Sequence, residues 1–367
     1  MTIPLREGFT TGSAASAAAK AGALFLLAGH TAREVSVPLP PGGRLAVPVA
    51  DFEREKDAVR VTVIKDGGDD PDATHGKAIQ VVVELHPGAD RPPHVLVRGG
   101  RGVGRVTLPG LPVPVGRAAI NPAPRAQIAE AVREALDVHD FRGAAEVLIE
   151  VPEGEEIAKK TLNPRLGIVG GISILGTSGI VKPYSHASYE ASISQALDVA
   201  RAAGLRSCVL TTGRRSERFH QARHPELPEL AFVQVADYFA HAMREAVAKG
   251  FTRITWAVFF GKLVKQAQGE PYTHAREYPV DFGALAARCR ALGAPEPLVA
   301  DVRAANTAMQ VLAMLEGIAL RRSVVADCTA SAVASALRFA GAALPARAAT
   351  LPAVGYAVYD FDGAPLL

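Results

Sequence analysis

Apolar residues alternate with polar ones over residues 32–64, interrupted by Pro and Gly. EVSVPLP, PGGRLAVPVA and AVRVTVI therefore read as successive strands joined by tight turns. QVVVELHP and HVLVRGG continue the pattern. LPGLPVPVGRAAINPAPR cannot hold regular structure for long, because each proline removes a donor and restricts its predecessor. A helix, RAQIAEAVREALDVHD, and a strand, AEVLIEVPEG, follow it. Near the start, Thr10, Thr11 or Ser13 is placed to cap an Ala-rich helix that ends about Gly29.

After Thr161 the periodicity changes. LGIVGG reads as a buried strand, EASISQALDVARAAG as an amphipathic helix and SCVLTT as a strand. VADYFAHAMREAVAKG then reads as a helix and RITWAVFF as a strand. Such alternation predicts parallel β-α-β units. From about residue 281 the pattern is mostly helical, and AVGYAVYDFDG returns as an edge strand. The expected fold class is thus α/β and α+β in two domains. Residues 1–155 form an α+β domain and 156–367 a Rossmann-like α/β domain with C-terminal helices, whose tail could instead return to the first domain.

Composition narrows the function. A hydrophobic content of 49% with 21% charged residues suits a soluble enzyme with a sizeable core. The net charge of +3 and the single Trp256 give no reason to expect a nucleic-acid partner. Cys208, Cys289 and Cys328 are far apart, show no metal-ligand spacing and read as reduced thiols. No uninterrupted apolar run approaches the ~20 residues of a membrane span. The N-terminal segment makes a poor signal peptide, since Lys20 and Gly22 interrupt it. A cytoplasmic protein without a membrane partner is expected, and assembly into homo-oligomers stays open.

Five segments carry candidate chemistry. GIVGGISILGTSGI places Gly170, Gly171, Gly176 and Gly179, with Thr177 and Ser178, after an apolar run. Glycines let backbone N–H groups approach a ligand. Yet the spacing is not GxGxxG, and no acidic residue closes the next strand. By spacing alone a cofactor cradle and a simple turn both stay open. IKDGGDDPDATHG gathers Asp66, Asp69, Asp70 and Asp72 with Thr74 and His75. Its spacing is not that of an EF-hand, and holding Lys or Arg side chains or orienting a substrate suits it better than a metal cage. FTTGSAASAAAK puts Thr10, Thr11, Gly12 and Ser13 at a helix start, either as an anion site or as an ordinary cap. TTGRRSER offers Arg214 at a strand end, and GKLVKQAQGEPYTHA offers Lys262, Lys265, Thr273 and His274. No GxSxG elbow and no Walker motif is present.

In their order and spacing, LREGFTTGSAASAAAKA, KDGGDDPDATHG, GGRGVGRVTLPGLPVPVGRAAINPAPR, TLNPRLGIVGGISILGTSGIVKP and GKLVKQAQGEPYTHA resemble the cobalt-precorrin-5B C1-methyltransferase family of anaerobic cobalamin biosynthesis. The resemblance implies transfer of a methyl group from S-adenosylmethionine to ring carbon C1 of a cobalt-corrinoid substrate. Cobalt would arrive inside that substrate, so no protein metal site is implied. On that reading the donor is expected against the 170–179 loop and the strand ends of the second domain. Arg101, Arg105, Arg125, Lys182 and Arg214 would pair with the acetate and propionate groups of the macrocycle, together with Lys262 and Thr273. The 66–76 loop (Asp66, Asp69, Asp70, Thr74) and the 10–13 helix start would also touch the macrocycle, and His75 or His274 would move any proton. The chain departs from the family pattern at Ala14, Arg101 and Lys182. These departures leave a second reading, a non-catalytic binding protein for corrinoid intermediates. A nucleotide-dependent oxidoreductase fits the glycine spacing less well.

Overall fold

The computed structural model describes residues 4–88, 93–343 and 350–367. The chain divides into two compact units, Met1–Ser185 and His186–Leu367.

In the first unit, helix α1 (Thr11–Ala28) begins at Thr10, whose side chain accepts from the Ser13 amide, and stops at Gly29 in the left-handed conformation. A five-stranded sheet contains β1 (Asp51–Glu55), β2 (Ala58–Ile64), β3 (Ala78–Pro87), β4 (His94–Gly99) and β5 (Gly143–Glu150), ordered β1-β2-β3-β5-β4. All neighbours are antiparallel except β5 and β4, which pair from Ala144 opposite His94 to Ile149 opposite Gly99. Val59, Val61, Val63, Ile79, Val81, Val83, Val147 and Ile149 point into one core. Period-two alternation brings them onto one face, each burial contributing roughly 1.5–3 kcal/mol. Helix α2 (Pro122–Val138) packs against α1 on that core. The small residues of α1 let it press close: a Cβ at Gly22 would lie 2.7 Å from Val83 Cγ2.

By length and composition, α1 and the helix Leu320–Gly341 could each cross a membrane. Helix α1 instead places 67% of its residues inside the first unit.

The first unit runs past residue 155, the boundary expected from periodicity, because segments within residues 167–181 pair with it. Ile168–Val169 pairs with Arg105–Val106, Gly171–Ile172 with Gly102–Val103, and Ile180–Val181 with Gly8–Phe9. LGIVGG is therefore not a strand of the parallel sheet. It supplies two-residue ladders within the first unit, and Val169 is exposed.

The second unit starts with α3 (His186–Ala202). It continues through β6 (Ser207–Thr211), α4 (Arg214–Arg223), β7 (Phe232–Gln234), α5 (Phe239–Ala248), β8 (Arg253–Phe259) and α6 (Phe260–Ala267). Four helices follow, Phe282–Ala291, Glu296–Arg303, Ala308–Met314 and Leu320–Gly341, and then β9 (Ala353–Tyr359). All pairings in the sheet are parallel, in the order β7-β6-β8-β9. The chain tail closes this sheet as its edge strand, with Arg253 opposite Ala353 and Phe259 opposite Tyr359, and does not return to the first unit. Trp256, Phe239 and Phe260 are fully buried at its centre. Strand order reverses between β6 and β8, and open α/β sheets bind ligands at the carboxyl edge of such a switch point.

Candidate functional site

In the first unit the helix start, the acidic loop and the glycine loop meet. The Thr10 amide donates to Gly179 O at 3.0 Å and the Gly12 amide to Leu175 O at 3.2 Å. The Leu175 amide donates to Thr11 Oγ1 at 3.0 Å, and Ser13 Oγ donates to Gly179 O at 2.7 Å. Gln127 Nε2 on α2 reaches Ser13 Oγ at 3.1 Å and Pro38 O at 2.9 Å, while its Oε1 is buried without a partner. Thr10, Thr11 and Ser13 are buried. Of the two readings of this helix start, these contacts are those of an ordinary cap whose hydroxyls and amides also hold the glycine loop.

Close packing accounts for most of that loop's glycines. A Cβ at Gly176 would lie 2.5 Å from Thr10 side-chain atoms. One at Gly179 would lie 2.5 Å from Leu39 Cδ2, and one at Gly171 2.1 Å from Gly102 O. Gly170 alone of the four has open space around a Cβ. Thr177 is exposed, and Ser178 Oγ donates to Ile180 O at 2.9 Å.

The acidic loop grips the chain's own N-terminal segment. Asp66 pairs with the Arg6 guanidinium and accepts from the Gly68 amide, contacts that hold its carboxyl below the usual range. Asp69 Oδ2 accepts from the Arg6 amide at 2.6 Å and Asp70 Oδ1 from the Tyr184 amide at 2.9 Å. Asp72 pairs with the buried Lys65 and accepts from Thr74 N and Oγ1. Burial pushes the Asp72 carboxyl up, but Lys65 and Thr74 outweigh it and bring it below its ordinary value. His75 is exposed, and its Nδ1 accepts from the Gly67 amide at 3.0 Å.

Cations gather where the proline-rich loop enters α2. Arg125 Nη1 donates to Val97 O at 2.6 Å, and Arg105 donates to Gly116 O. Burial and the neighbouring Arg117 hold the Arg125 guanidinium below its ordinary value. None of Arg105, Arg117 and Arg125 forms an ion pair among the described residues, so this corner carries uncompensated positive charge. Arg101 and Lys182 are exposed in the same unit. Pattern reading missed Arg117, although its place beside Gly116 in the turn before α2 could have suggested it.

In the second unit, Lys262 on α6 pairs with Asp237 beyond the carboxyl end of β7. Lys262 Nζ and Lys265 Nζ both donate to Thr273 O, at 3.1 and 2.9 Å, and Thr273 Oγ1 donates to Asp237 Oδ1 at 3.0 Å. Burial, with Lys265 beside it, pulls Lys262 down to about 8. Thr273 is fully buried and braces Asp237 and the lysines. Asp237 was not singled out by spacing, yet it follows a strand of the parallel sheet, where ligand-side groups fall. Arg214 is exposed at the start of α4, next to Gly213, where a Cβ would meet nothing within 4 Å. His274 Nδ1 is buried without a hydrogen-bond partner, and its ring stacks 6.0 Å from Tyr272.

The three cysteines are buried, and burial raises each thiol, that of Cys328 up to about 12. They are inert at neutral pH.

One unit with a four-stranded parallel sheet whose carboxyl edge carries Arg214 and Lys262, and one α+β unit, define a two-unit α/β protein. The CbiD family description matches residues 2–183, and that of the CbiD C-terminal domain matches residues 272–367. The chain is 50% identical over 363 residues to a cobalt-precorrin-5B C(1)-methyltransferase of Nitratidesulfovibrio vulgaris, covering 97% of this chain and 90% of the relative. It is 50% identical over 312 residues to the protein of that name from Geobacillus kaustophilus, covering 85% and 83% of the two chains. With the Thermus thermophilus protein of that name it shares 44% over 359 residues, covering 97% and 92%. A crystal structure described as a cobalamin biosynthesis protein (cbiD) from Archaeoglobus fulgidus aligns with 32% identity and a TM-score of 0.39, over 71% of this chain and 78% of that one. The chain belongs to the cobalt-precorrin-5B C(1)-methyltransferase family.

Proposed function

We propose that this protein transfers a methyl group from S-adenosylmethionine to C1 of cobalt-precorrin-5B, giving cobalt-precorrin-6A and S-adenosylhomocysteine. The observation that carries this reading is 50% identity along 97% of the chain to a relative of that name. S-adenosylmethionine supplies an electrophilic methyl on a neutral leaving group, and cobalt enters as part of the substrate. The work left to the protein is alignment and exclusion of water, and alignment of this kind supplies roughly 7–11 kcal/mol of barrier reduction.

Arg105, Arg117 and Arg125, with Arg101 and Lys182, are proposed to take the acetate and propionate groups of the macrocycle, because guanidinium groups bind carboxylates in bidentate pairs. Uncompensated charge at Arg125 supports this assignment. The carboxyl edge of β6 and β8, with Gly213, Arg214 and Lys262, is proposed for the donor and nearby substrate carboxylates. That a Cβ at Gly213 would meet nothing within 4 Å supports this placement. Of the glycine loop, Gly170, where a Cβ would meet nothing within 4 Å, and the exposed Thr177 are proposed to meet a ligand. His75 or His274 is proposed to carry any proton that moves.

Incubation with methyl-labelled S-adenosylmethionine and cobalt-precorrin-5B tests the reading. Methylated corrinoid supports it. Corrinoid binding without turnover would support instead a binding protein for intermediates, and failure to bind the donor would overturn methyl transfer.

A further inference from the structure

Four of the chain's seven tyrosines, Tyr189, Tyr238, Tyr272 and Tyr278, gather at one corner of the second unit. Tyr189 and Tyr238 stack face to face with centroids 5.0 Å apart, and Tyr272 meets Tyr238 edge-on at 5.0 Å. His186 fixes the arrangement, since its Nδ1 shares a 3.1 Å hydrogen bond with the Tyr238 hydroxyl. Tyr238, Tyr272 and Tyr278 wall an open cavity of about 280 Å³ whose remaining lining includes Glu190, Glu277 and Arg244. The Ala240 amide donates to Pro271 O and the Thr273 amide to Asp237 O, both at 2.9 Å, which fastens this corner to the carboxyl end of β7. That is the ligand-binding edge of a parallel sheet.

The lining is unusual for a packing defect. The neutral rings of Tyr238 and Tyr272 form part of the cavity wall, and burial raises their hydroxyls. Arg244 and Glu277 form no ion pair among the described residues, and Glu190 meets only His241, at 3.7 Å. Opposite charges are thus held apart around aromatic walls, in a volume far below that of a macrocycle. A small zwitterion that carries a further cation matches the set: the ring faces attract a sulfonium, the carboxylates an ammonium and the guanidinium a carboxylate.

We propose that this cavity binds the methionyl end of the methyl donor. Tyr238 and Tyr272 face the sulfonium, Glu190 and Glu277 hold the ammonium, and Arg244 holds the carboxylate. The assignment rests on the methyl-transfer reading and adds to it a means of preferring the charged donor over its neutral product.

Titration calorimetry with three probes tests it: S-adenosylmethionine, S-adenosylhomocysteine and 5′-methylthioadenosine, which lacks the amino-acid end. The unaltered protein is expected to bind S-adenosylmethionine about tenfold tighter than S-adenosylhomocysteine. Tyr272→Leu should bring that ratio towards one, whereas Tyr272→Phe should keep it. Arg244→Ala, at an exposed position, should weaken both amino-acid ligands at least fivefold and leave 5′-methylthioadenosine unchanged. Equal affinities in the unaltered protein, or an Arg244→Ala effect on all three probes alike, would overturn the assignment. If corrinoid methylation persists in that case, the methyl-transfer reading stands and only the pocket is wrong. Absence of both donor binding and methylation would remove the two together.

Discussion

Ser13 Oγ donates a 2.7 Å hydrogen bond to the carbonyl of Gly179 while accepting another from Gln127 Nε2 at 3.1 Å. One buried hydroxyl thus ties the start of α1, the glycine loop and α2 together. Ser13→Ala removes both bonds and leaves the Gly179 carbonyl with only the Thr10 amide and Gln127 Nε2 with only Pro38 O. The expected cost is about 1–3 kcal/mol, read from the urea midpoint at unchanged slope. A loss below a few tenths would show that the loop does not depend on this anchor.

Gly170 and Gly179 have the same φ of +80° but different surroundings. An added methyl at Gly170 meets nothing, so Gly170→Ala should cost only the backbone strain of about 1–2 kcal/mol. At Gly179 the methyl runs into Leu39 and Ser13, and Gly179→Ala should cost clearly more. Parallel thermal unfolding of the two variants checks the order, and equal shifts would contradict the packed loop.

His220 is buried in the second unit, with Nδ1 sharing a 2.7 Å hydrogen bond with Tyr359 Oη. Burial, then the neighbouring His224, hold it down at about 4. An unfolded histidine takes its proton near 6.5, so the folded state binds fewer protons in between. Stability contributed by neutral His220 is complete above about pH 6.5 and is lost as pH falls through 4, by about 3 kcal/mol. Denaturant midpoints from pH 7 to 4 should fall accordingly, and His220→Gln should flatten that slope.

Lys262 is predicted to lose its charge above about pH 8. If the ammonium serves the reaction, kcat/KM declines above that pH. Asp237→Asn removes the facing carboxylate and should move the decline to lower pH. Lys262→Met should lower kcat/KM at least tenfold, about 1.4 kcal/mol of transition-state binding. A flat profile from pH 7 to 9 in the unaltered protein would exclude a role for the charge.

Much of the fold was legible because its signals are local. Val59, Val61 and Val63 alternate with polar residues and form β2, and Thr10 and Gly29 bracket α1 as caps. The strand–helix alternation after residue 204 gives the parallel sheet. Ordered blocks of residues were enough to point to the family.

Other features depended on contacts between distant parts of the chain. The apolar run before Gly170 carries the pattern of a parallel strand, but its partners, Arg105–Val106, lie far back in the sequence and place it in the first unit. The same packing shows that Gly176 and Gly179 make room for Thr10, Leu39 and Ser13, whereas spacing alone left a ligand cradle equally open. Asp237, Arg117 and the tyrosine corner carry no motif because each gains its neighbours only on folding. Periodicity and capping are properties of neighbouring residues, so sequence alone determined most of the elements. Which glycines face solvent, which cations go unpaired and which rings enclose a cavity are set by long-range packing, and the tertiary structure decided them.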